Sequence, residues 1–254
     1  VTKAKARTHL VIGDSHSNPK VDNRRFDWLG NFIEDKRPDV IIDIGDWGDF
    51  DSIGKYNKGT GEAWNSTYKA DLECYHDASR RAFGRIARIK GYKPRIIRIG
   101  GNHEEGRIDT FVKQNPEFKG TISVSDLRVS DFGGRYFPFR DVAFVDGIAY
   151  SHYFYEKDSR YSITSARAVM NKKHMSCTWG HSHIRDMFEA VSADKRRMLA
   201  LNVGCFLDPE QQMGYAGPQG NSRWWSGLVL KQDVHNGSYD PQFFGIDYIK
   251  RHYA

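Results

Sequence analysis

The chain has 254 residues, a hydrophobic fraction of 39% and a formal net charge of +6, from 38 Lys and Arg against 32 Asp and Glu. That length suits one domain, expected to span 1–254, and buries most of the surface its unfolded form exposes. The 3 cysteines (Cys74, Cys177, Cys205) argue against a disulfide framework and for a reducing, cytoplasmic setting, and no apolar stretch is long enough to cross a bilayer.

The polar residues Val1 to Arg7 lead into a strand at Thr8–Ile12 and show no signal-peptide pattern. Phe26, Leu29, Phe32 and Ile33 have helical spacing, ending near Arg37-Pro38. Val40–Ile44 is a second strand, apolar enough to be covered on both faces, though Asp43 interrupts it. A long loop or cap is expected at about 50–68, followed by a helix from about Lys69 to Lys90 carrying Arg80, Arg81, Arg85 and Arg88. Such an arginine run serves as a track for phosphates or as a solvated face, and the solvated face is the commoner case. Arg95–Ile99 is a third strand, and a helix follows from Glu105 to Lys113. Strands are expected at Val142–Val145, Ile148–His152 and Met175–Trp179, with a helix at Ser162–Met170. From about 185 the chain is strand-rich, with strands near Met187–Val191, Met198–Val203, Trp225–Leu230 and Phe243–Tyr248. Strand, motif and helix recur through the first hundred residues, the unit of a parallel α/β sheet with its site at strand ends.

Short segments at those strand ends carry the chemistry: Gly13-Asp14-Ser15-His16, Gly45-Asp46-Trp47-Gly48-Asp49, Gly101-Asn102-His103-Glu104, Ser151-His152 and Gly180-His181-Ser182-His183. Read singly, Asp14 and Asp46 are strand-end carboxylates, and a lone histidine is more often a core residue than a ligand. Together they form a ligand set. Asp14 and His16 can reach one cation, and a carboxylate with an imidazole suits Mn²⁺, Fe²⁺ or Zn²⁺ better than Ca²⁺. Asp46 can bridge two metals, Asn102 offers a carbonyl oxygen, and His152, His181 and His183 offer ring nitrogens. Two metals about 3.5–4 Å apart would clamp a phosphate and hold a bridging hydroxide. His103, beside the ligand Asn102, is then the natural general acid, with Glu104 to orient it. Asp49 is expected to hydrogen-bond a ligand or loop backbone. Arg107 is a candidate phosphate contact or a surface helix residue. The stretch Gln211–Trp225, with Tyr215, Trp224 and Trp225, is a candidate base-stacking wall, though tryptophan pairs more often serve a core. The basic balance fits a polyanionic substrate, and it also fits solubility alone.

From about Leu10 to Ile184, this ordered set resembles the calcineurin-like metallophosphoesterases. The resemblance implies an α/β fold of two packed mixed β-sheets flanked by helices, a four-layer sandwich with a dimetal site at strand ends. It implies one metal on Asp14, His16, Asp46 and His183, a second on Asp46, Asn102, His152 and His181, and His103 as the catalytic histidine. Manganese is the first expectation, with iron, zinc, nickel or magnesium as the others. Ser151-His152 departs from the usual Gly-His and keeps the ligand. Gly48 and Phe50 stand where the Ser/Thr protein phosphatases have Val and Arg, which makes a protein phosphatase less expected. Gly101 to Arg107 looks like small phage- and bacteria-encoded, exonuclease-like members, and a phage origin would place the protein in the host cytoplasm. Asn202 with Gly204-Cys205 loosely resembles the strand end that follows the last motif. The expected activity is a phosphodiesterase on nucleic acid (DNA or RNA) or a nucleotide. The alternatives are a phosphomonoesterase acting on nucleotides, small molecules or phosphoproteins, and a non-catalytic binding protein. Dimers occur in the nuclease branch, and nothing in the sequence demands one.

Overall fold

Strand β1 (Arg7–Ile12) sets the pattern for the molecule, because its side chains divide by period two between two cores. Leu10 and Ile12 face a helical layer, and Val11 faces a second sheet. The same division holds in β2 (Val40–Asp43) and β3 (Arg95–Ile99): Ile41 and Ile96 join the helices, while Val40, Ile42, Ile97 and Ile99 join the sheet-to-sheet core. Both faces being covered explains why these strands read as nearly continuous apolar runs. The structure, a computed structural model, describes residues 6–54, 66–156, 159, 161–208 and 222–254.

The first sheet has the order β11-β10-β1-β2-β3-β4, with β4 at Gly134–Phe137, β10 at Gly227–His235 and β11 at Ser238–Gly245. Strands β1 to β4 are parallel, and β10 and β11 are added antiparallel at the β1 edge. The second sheet has the order β5-β6-β7-β9-β8, built from Ala143–Val145, Ile148–Tyr150, Cys177–Trp179, Arg197–Val203 and Arg185–Val191 respectively. Helices α1 (Arg24–Lys36), α2 (Tyr68–Phe83) and α5 (Ile246–Tyr253) belong to the layer on the first sheet, and α4 (Ala166–Lys173) covers the second. Helix α3 (Glu105–Gln114) follows β3. The expected architecture of two packed mixed sheets flanked by helices is the observed one. Among the described residues, no helix is long and apolar enough to cross a membrane.

Several elements differ from the sequence expectation. The long helix over 69–90 stops at Phe83, where Gly84 is the C-cap, and a separate 3-10 turn covers Ile86–Arg88. Three of the four arginines expected on it are engaged by neighbouring side chains: Arg81 pairs with Asp27 of α1 at 2.5 Å and with Asp77 at 2.7 Å, Arg80 pairs with Asp77, and Arg85 bonds Asn31. The helix expected at Ser162–Met170 begins at Ala166, because Ser165 is the residue whose side chain caps it, accepting the Ala168 N–H. The strand expected at Phe243–Tyr248 ends at Gly245, and the chain turns there into α5. Ile246 and Ile249, three apart, are buried, a helical spacing that alternation had masked. Of the cap expected at 50–68, residues 55–65 lie outside the described residues, as do residues 211–221 of the tryptophan-containing loop.

Asp43, which broke the β2 pattern, is one half of a buried ion pair. Arg98 Nε donates to Asp43 Oδ2 at 2.8 Å and Arg98 Nη1 donates to Ser79 Oγ at 2.9 Å. The guanidinium lies 4.5 Å from the Trp47 ring centre, with Tyr75 and Phe83 also around it. The other Asp43 oxygen accepts the Gly45 N–H at 3.1 Å, so the pair also shapes the turn that delivers Asp46.

Candidate metal centre

Each ligand segment leaves the C-terminal end of a strand: β1 runs into Asp14 and His16, β2 into Asp46, β3 into Asn102 and His103, β6 into His152, and β7 into His181 and His183. The turns are tight. His16, Asp46, His181 and His183 all have positive φ, between 45° and 70°. Non-glycine residues reach that region at a cost of about 1–2 kcal/mol each, and such strain gathers at functional sites. Backbone hydrogen bonds hold the loops to one another. Ser15 and His16 N–H groups donate to the Asp46 carbonyl, Ser17 N–H to Trp47, and Asp49 N–H to Ser17. Below them Arg25, 1% exposed, donates to the carbonyls of Ser15 and His16 at 2.6 and 3.2 Å. Asn202 donates to the Gly180 carbonyl and to Ser182 Oγ, and so fixes the turn that carries His181 and His183. Two glycines are demanded by close approach. A Cβ on Gly101 would lie 2.1 Å from Asp46 Oδ1, and one on Gly180 would lie 2.1 Å from Asp14 Oδ1.

Three overlapping groups result: Asp14, His16 and His183; His16, Asp46 and His103; and Asp46, His152 and His181. Within each, the candidate ligand atoms lie within 4.8 Å of one another, and Asp46 is shared by two. His183 Nε2 is 3.2 Å from Asp14 Oδ2 and 3.0 Å from His16 Nε2. His152 Nε2 is 2.9 Å from Asn102 Oδ1 and 3.3 Å from Asp46 Oδ2. The remaining oxygens are aimed by backbone donors, with His103 N–H on Asp46 Oδ1 at 2.8 Å and His181 N–H on Asp14 Oδ1 at 3.0 Å.

The far nitrogens of the rings are also held. His152 Nδ1 lies 3.1 Å from the Ile44 carbonyl, and His16 Nδ1 lies 2.8 Å from Asp49 Oδ1. A carbonyl or carboxylate accepts only from a proton on Nδ1, so the His152 and His16 rings each turn Nε2 inward. The Nε2 atoms of His16, His183 and His152 and the Oδ1 of Asn102 converge with the buried carboxylates of Asp14 and Asp46. Such convergence of acceptors is unfavourable without positive charge between them, and it suits divalent cations. Electrostatics within the chain say the same. Burial lowers the His152 pKa, but Asp46, Asp14 and Glu104 overcome this and push it up to about 10. Burial and the neighbouring His152 bring His181 down to about 4. Burial raises the Asp14 and Asp46 carboxyls, yet the surrounding imidazoles hold both below the usual range, Asp46 well below.

His103 lies at the edge of the cluster. Its ring stands edge-on to His16 with centres 4.6 Å apart, its Nε2 is 4.0 Å from Asp46 Oδ2, and its Nδ1 is 3.2 Å from Asp49 Oδ1. Asp49 thus touches both His16 and His103, and it also accepts from Asn18 Nδ2 at 2.9 Å. Of the two neighbouring carboxylates, Asp49 is the one that lies against His103 Nδ1. Glu104 Oε1 accepts the Gly101 N–H at 2.9 Å, its Oε2 is buried without a hydrogen-bond partner, and burial raises its carboxyl well above the usual range. Arg107 is committed away from the centre, to Asp51 Oδ1 at 2.9 Å and to the Asp49 carbonyl. Phe50 is buried against Tyr68 and Tyr75. Arg25, Tyr153 and Trp224 also bear on the centre. The Tyr153 ring packs on His181 with centres 4.8 Å apart, and the Trp224 ring stands edge-on to His183 at 4.2 Å. Their sequence neighbourhood gave no period or motif to mark Arg25 and Tyr153. The rest of the proposed stacking wall, Tyr215 included, lies outside the described residues.

No protein-family model matches the sequence, and neither does any curated protein. Solved structures with a similar outline include a double mutant of Vps29 from Entamoeba histolytica, 12% identical over 94% of this chain and 99% of that one, with a TM-score of 0.39. Wild-type Vps29 from the same organism, complexed with zinc, gives 12% identity, the same coverage and a TM-score of 0.37. The nuclease MPE of Pseudomonas putida gives 12% identity over 92% of this chain and 87% of that one, with a TM-score of 0.38. Likeness at this level leaves function to the chain's own residues.

Proposed function

We propose that this chain is a two-metal phosphoester hydrolase that prefers phosphodiesters of nucleic acid or nucleotides. The observation that carries the reading is the convergence of His16, His183, His152 and Asn102 acceptor atoms on two sides of the shared Asp46 carboxylate. Asp14, His16, His183 and Asp46 would hold one cation, and Asp46, Asn102, His152 and His181 the other. Two such cations, manganese the first choice, supply Lewis-acid charge that clamps a phosphoryl group and acidifies water.

The chain's own residues supply the rest. Asp49 holds the ring of His103 through Nδ1 and so sets the direction of Nε2, the atom that would give a proton to the leaving oxygen. At 8% exposure, His103 is more open than the fully buried rings of His16 and His152, as a group that meets substrate must be. Asp14 and Asp46 are held rigid by the His181 and His103 N–H groups, so the ligand cage is preorganised. The charge of the site favours a diester. Arg107 is neutralised by Asp51, and a buried Phe50 fills the place of the phosphatase arginine. A dianionic monoester would find fewer cationic contacts there than its two charges call for, while a singly charged diester needs fewer.

The test is hydrolysis of bis-p-nitrophenyl phosphate beside p-nitrophenyl phosphate by manganese-loaded protein, with Asp46→Asn as control. Diester preference, abolished in the variant, is the expected result. Monoester preference would remove the diester assignment, and inactivity on both, in protein that binds manganese, would remove the hydrolase.

A further inference from the structure

Most basic side chains close to the metal centre are already spent. Arg107 is paired with Asp51, Arg98 with Asp43, and Arg25 is buried against backbone carbonyls. Arg140 is different. Its Nε donates to Tyr153 OH at 3.2 Å, and its guanidinium lies 5.3 Å from the Phe139 ring centre and 5.9 Å from that of Tyr155. Among the described residues no carboxylate pairs with it, and it is exposed. Two of the rings that hold it also touch the centre: Tyr153 packs on His181, and Phe139 lies 5.9 Å from His152.

The backbone adds a second observation. Asp141 N–H donates to the Pro138 carbonyl at 2.9 Å, which closes a turn over Pro138–Asp141, and Arg140 occupies its third position with φ 75°. That is the place in a type II turn where glycine is favoured. An arginine there is strained, and strain of this kind marks functional sites. The turn is tied to the ligand loop, because Ser151, next to His152, donates its hydroxyl to the Asp141 carbonyl at 2.9 Å. Exposed Arg223 adjoins Trp224, which abuts His183.

We propose that Arg140 binds a backbone phosphate next to the scissile one, so that the site takes a single strand of nucleic acid laid across the metal centre. This rests on the phosphodiesterase reading above and names its substrate class. Arginine suits the task because its planar fork grips phosphate oxygens, and rings on either side of it pre-order the side chain. Phe139 and Trp224, which lie against His152 and His183, are half-buried aromatic surfaces, the kind on which unstacked bases lie.

The experiment has two arms. The first is fluorescence anisotropy of a 5′-fluorescein oligothymidylate with metal-free protein over a salt series, for the wild type, Arg140→Gln, Arg140→Lys and Arg140→Gly. Arg140→Gln should weaken binding about fivefold and flatten the log–log salt slope by about 0.7, the share of one phosphate on a single strand. Arg140→Lys should recover part of the loss. Arg140→Gly should lose binding while melting no lower than the wild type, since glycine suits the turn, which separates lost contact from lost fold. The second arm compares kcat/KM on the oligothymidylate with that on bis-p-nitrophenyl phosphate, which has no neighbouring phosphate. The ratio should drop about fivefold in Arg140→Gln, with the change in KM. An unchanged salt slope overturns the proposal, and so does an unchanged ratio. Tighter binding of a duplex than of a strand of equal length overturns the choice of a single strand. If the wild type fails on bis-p-nitrophenyl phosphate but binds the strand through Arg140, the hydrolase reading falls and the contact stands.

Discussion

Asp49→Asn removes one charge and no atoms, and the structure says what should follow. Asp49 Oδ1 lies 2.8 Å from His16 Nδ1 and 3.2 Å from His103 Nδ1, and Oδ2 accepts from Asn18 Nδ2 at 2.9 Å. An amide cannot serve all of these. With its oxygen towards the histidines, its NH₂ meets the Asn18 NH₂; flipped, it meets protonated Nδ1 atoms. Asn18 cannot turn to help, because its Oδ1 accepts the Lys20 N–H and its Nδ2 also donates to Asp51. A hydrogen bond to a charged group is worth about 1.5–3 kcal/mol against about 0.5–1.5 for a neutral one. The loss is therefore about 1–2 kcal/mol at His16, a ligand, and a similar amount at His103. At about 1.4 kcal/mol per tenfold, the loss at His16 predicts about a 5- to 30-fold weaker metal affinity, in the range expected when a group that orients a ligand is removed. Calorimetric titration of Mn²⁺ into metal-free protein reads the first effect. The ratio of kcat on a diester with an alkyl leaving group to kcat on bis-p-nitrophenyl phosphate reads the second, since a loosened His103 costs most where the leaving oxygen needs a proton. Wild-type manganese affinity together with an unchanged ratio would refute the role given to Asp49.

Three further outcomes follow from the geometry. Gly101→Ala should weaken manganese binding at least tenfold with an unchanged circular dichroism spectrum, because the new Cβ would sit 2.1 Å from Asp46 Oδ1 and 2.2 Å from Asp46 N; normal affinity would contradict that approach. Arg98→Met should cost about 3–5 kcal/mol by leaving Asp43 buried and uncompensated, and at about 2–4 °C per kcal/mol it should lower Tm by about 6–20 °C. Adding Asp43→Asn should return part of that loss, and a Tm unmoved by Arg98→Met would argue against the pair. His9 is buried, with Nε2 2.9 Å from Asp146 and Nδ1 2.8 Å from Tyr150 OH, and burial, helped by Lys231, brings its pKa from 6.5 down to about 4. The unfolded chain then binds a proton between those values that the folded chain does not. Stability should be full above about pH 6.5 and decline as pH falls towards 4, by at most about 3 kcal/mol. Urea midpoints of metal-free wild type and His9→Gln should converge over that window, and parallel curves would refute the assignment.

Most of the strands, and the residues able to act as ligands, were legible in the sequence, although β4 was not among the expected strands. Alternation and apolar runs located β1, β2 and β3, because burial on both faces leaves an unmistakable composition. The Gly-Asp, Asn-His and His-x-His segments marked Asp14, Asp46, Asn102, His103, His181 and His183 as a set, because ligand types are rare in such density at strand ends. Tertiary structure decided what depends on contacts far apart along the chain. Asp43 was an unexplained break in a strand until Arg98 was found beside it on β3. Arg107 looked available until Asp51 met it, and Glu104 looked like the partner of His103 until Asp49 was seen to touch both His103 and His16. Helix α5 hid in an alternating stretch because only its packing on α1, through Tyr253 on Asn31 and Asp35, shows which period is buried. Arg140 carried no motif at all. Its place beside the centre comes from a strained turn between β4 and β5 and from Tyr153 on the following loop, a position that neither composition nor spacing encodes. Residue type states what a group is able to do, while the fold states what it faces, and only the second sets its charge, its proton and its partner.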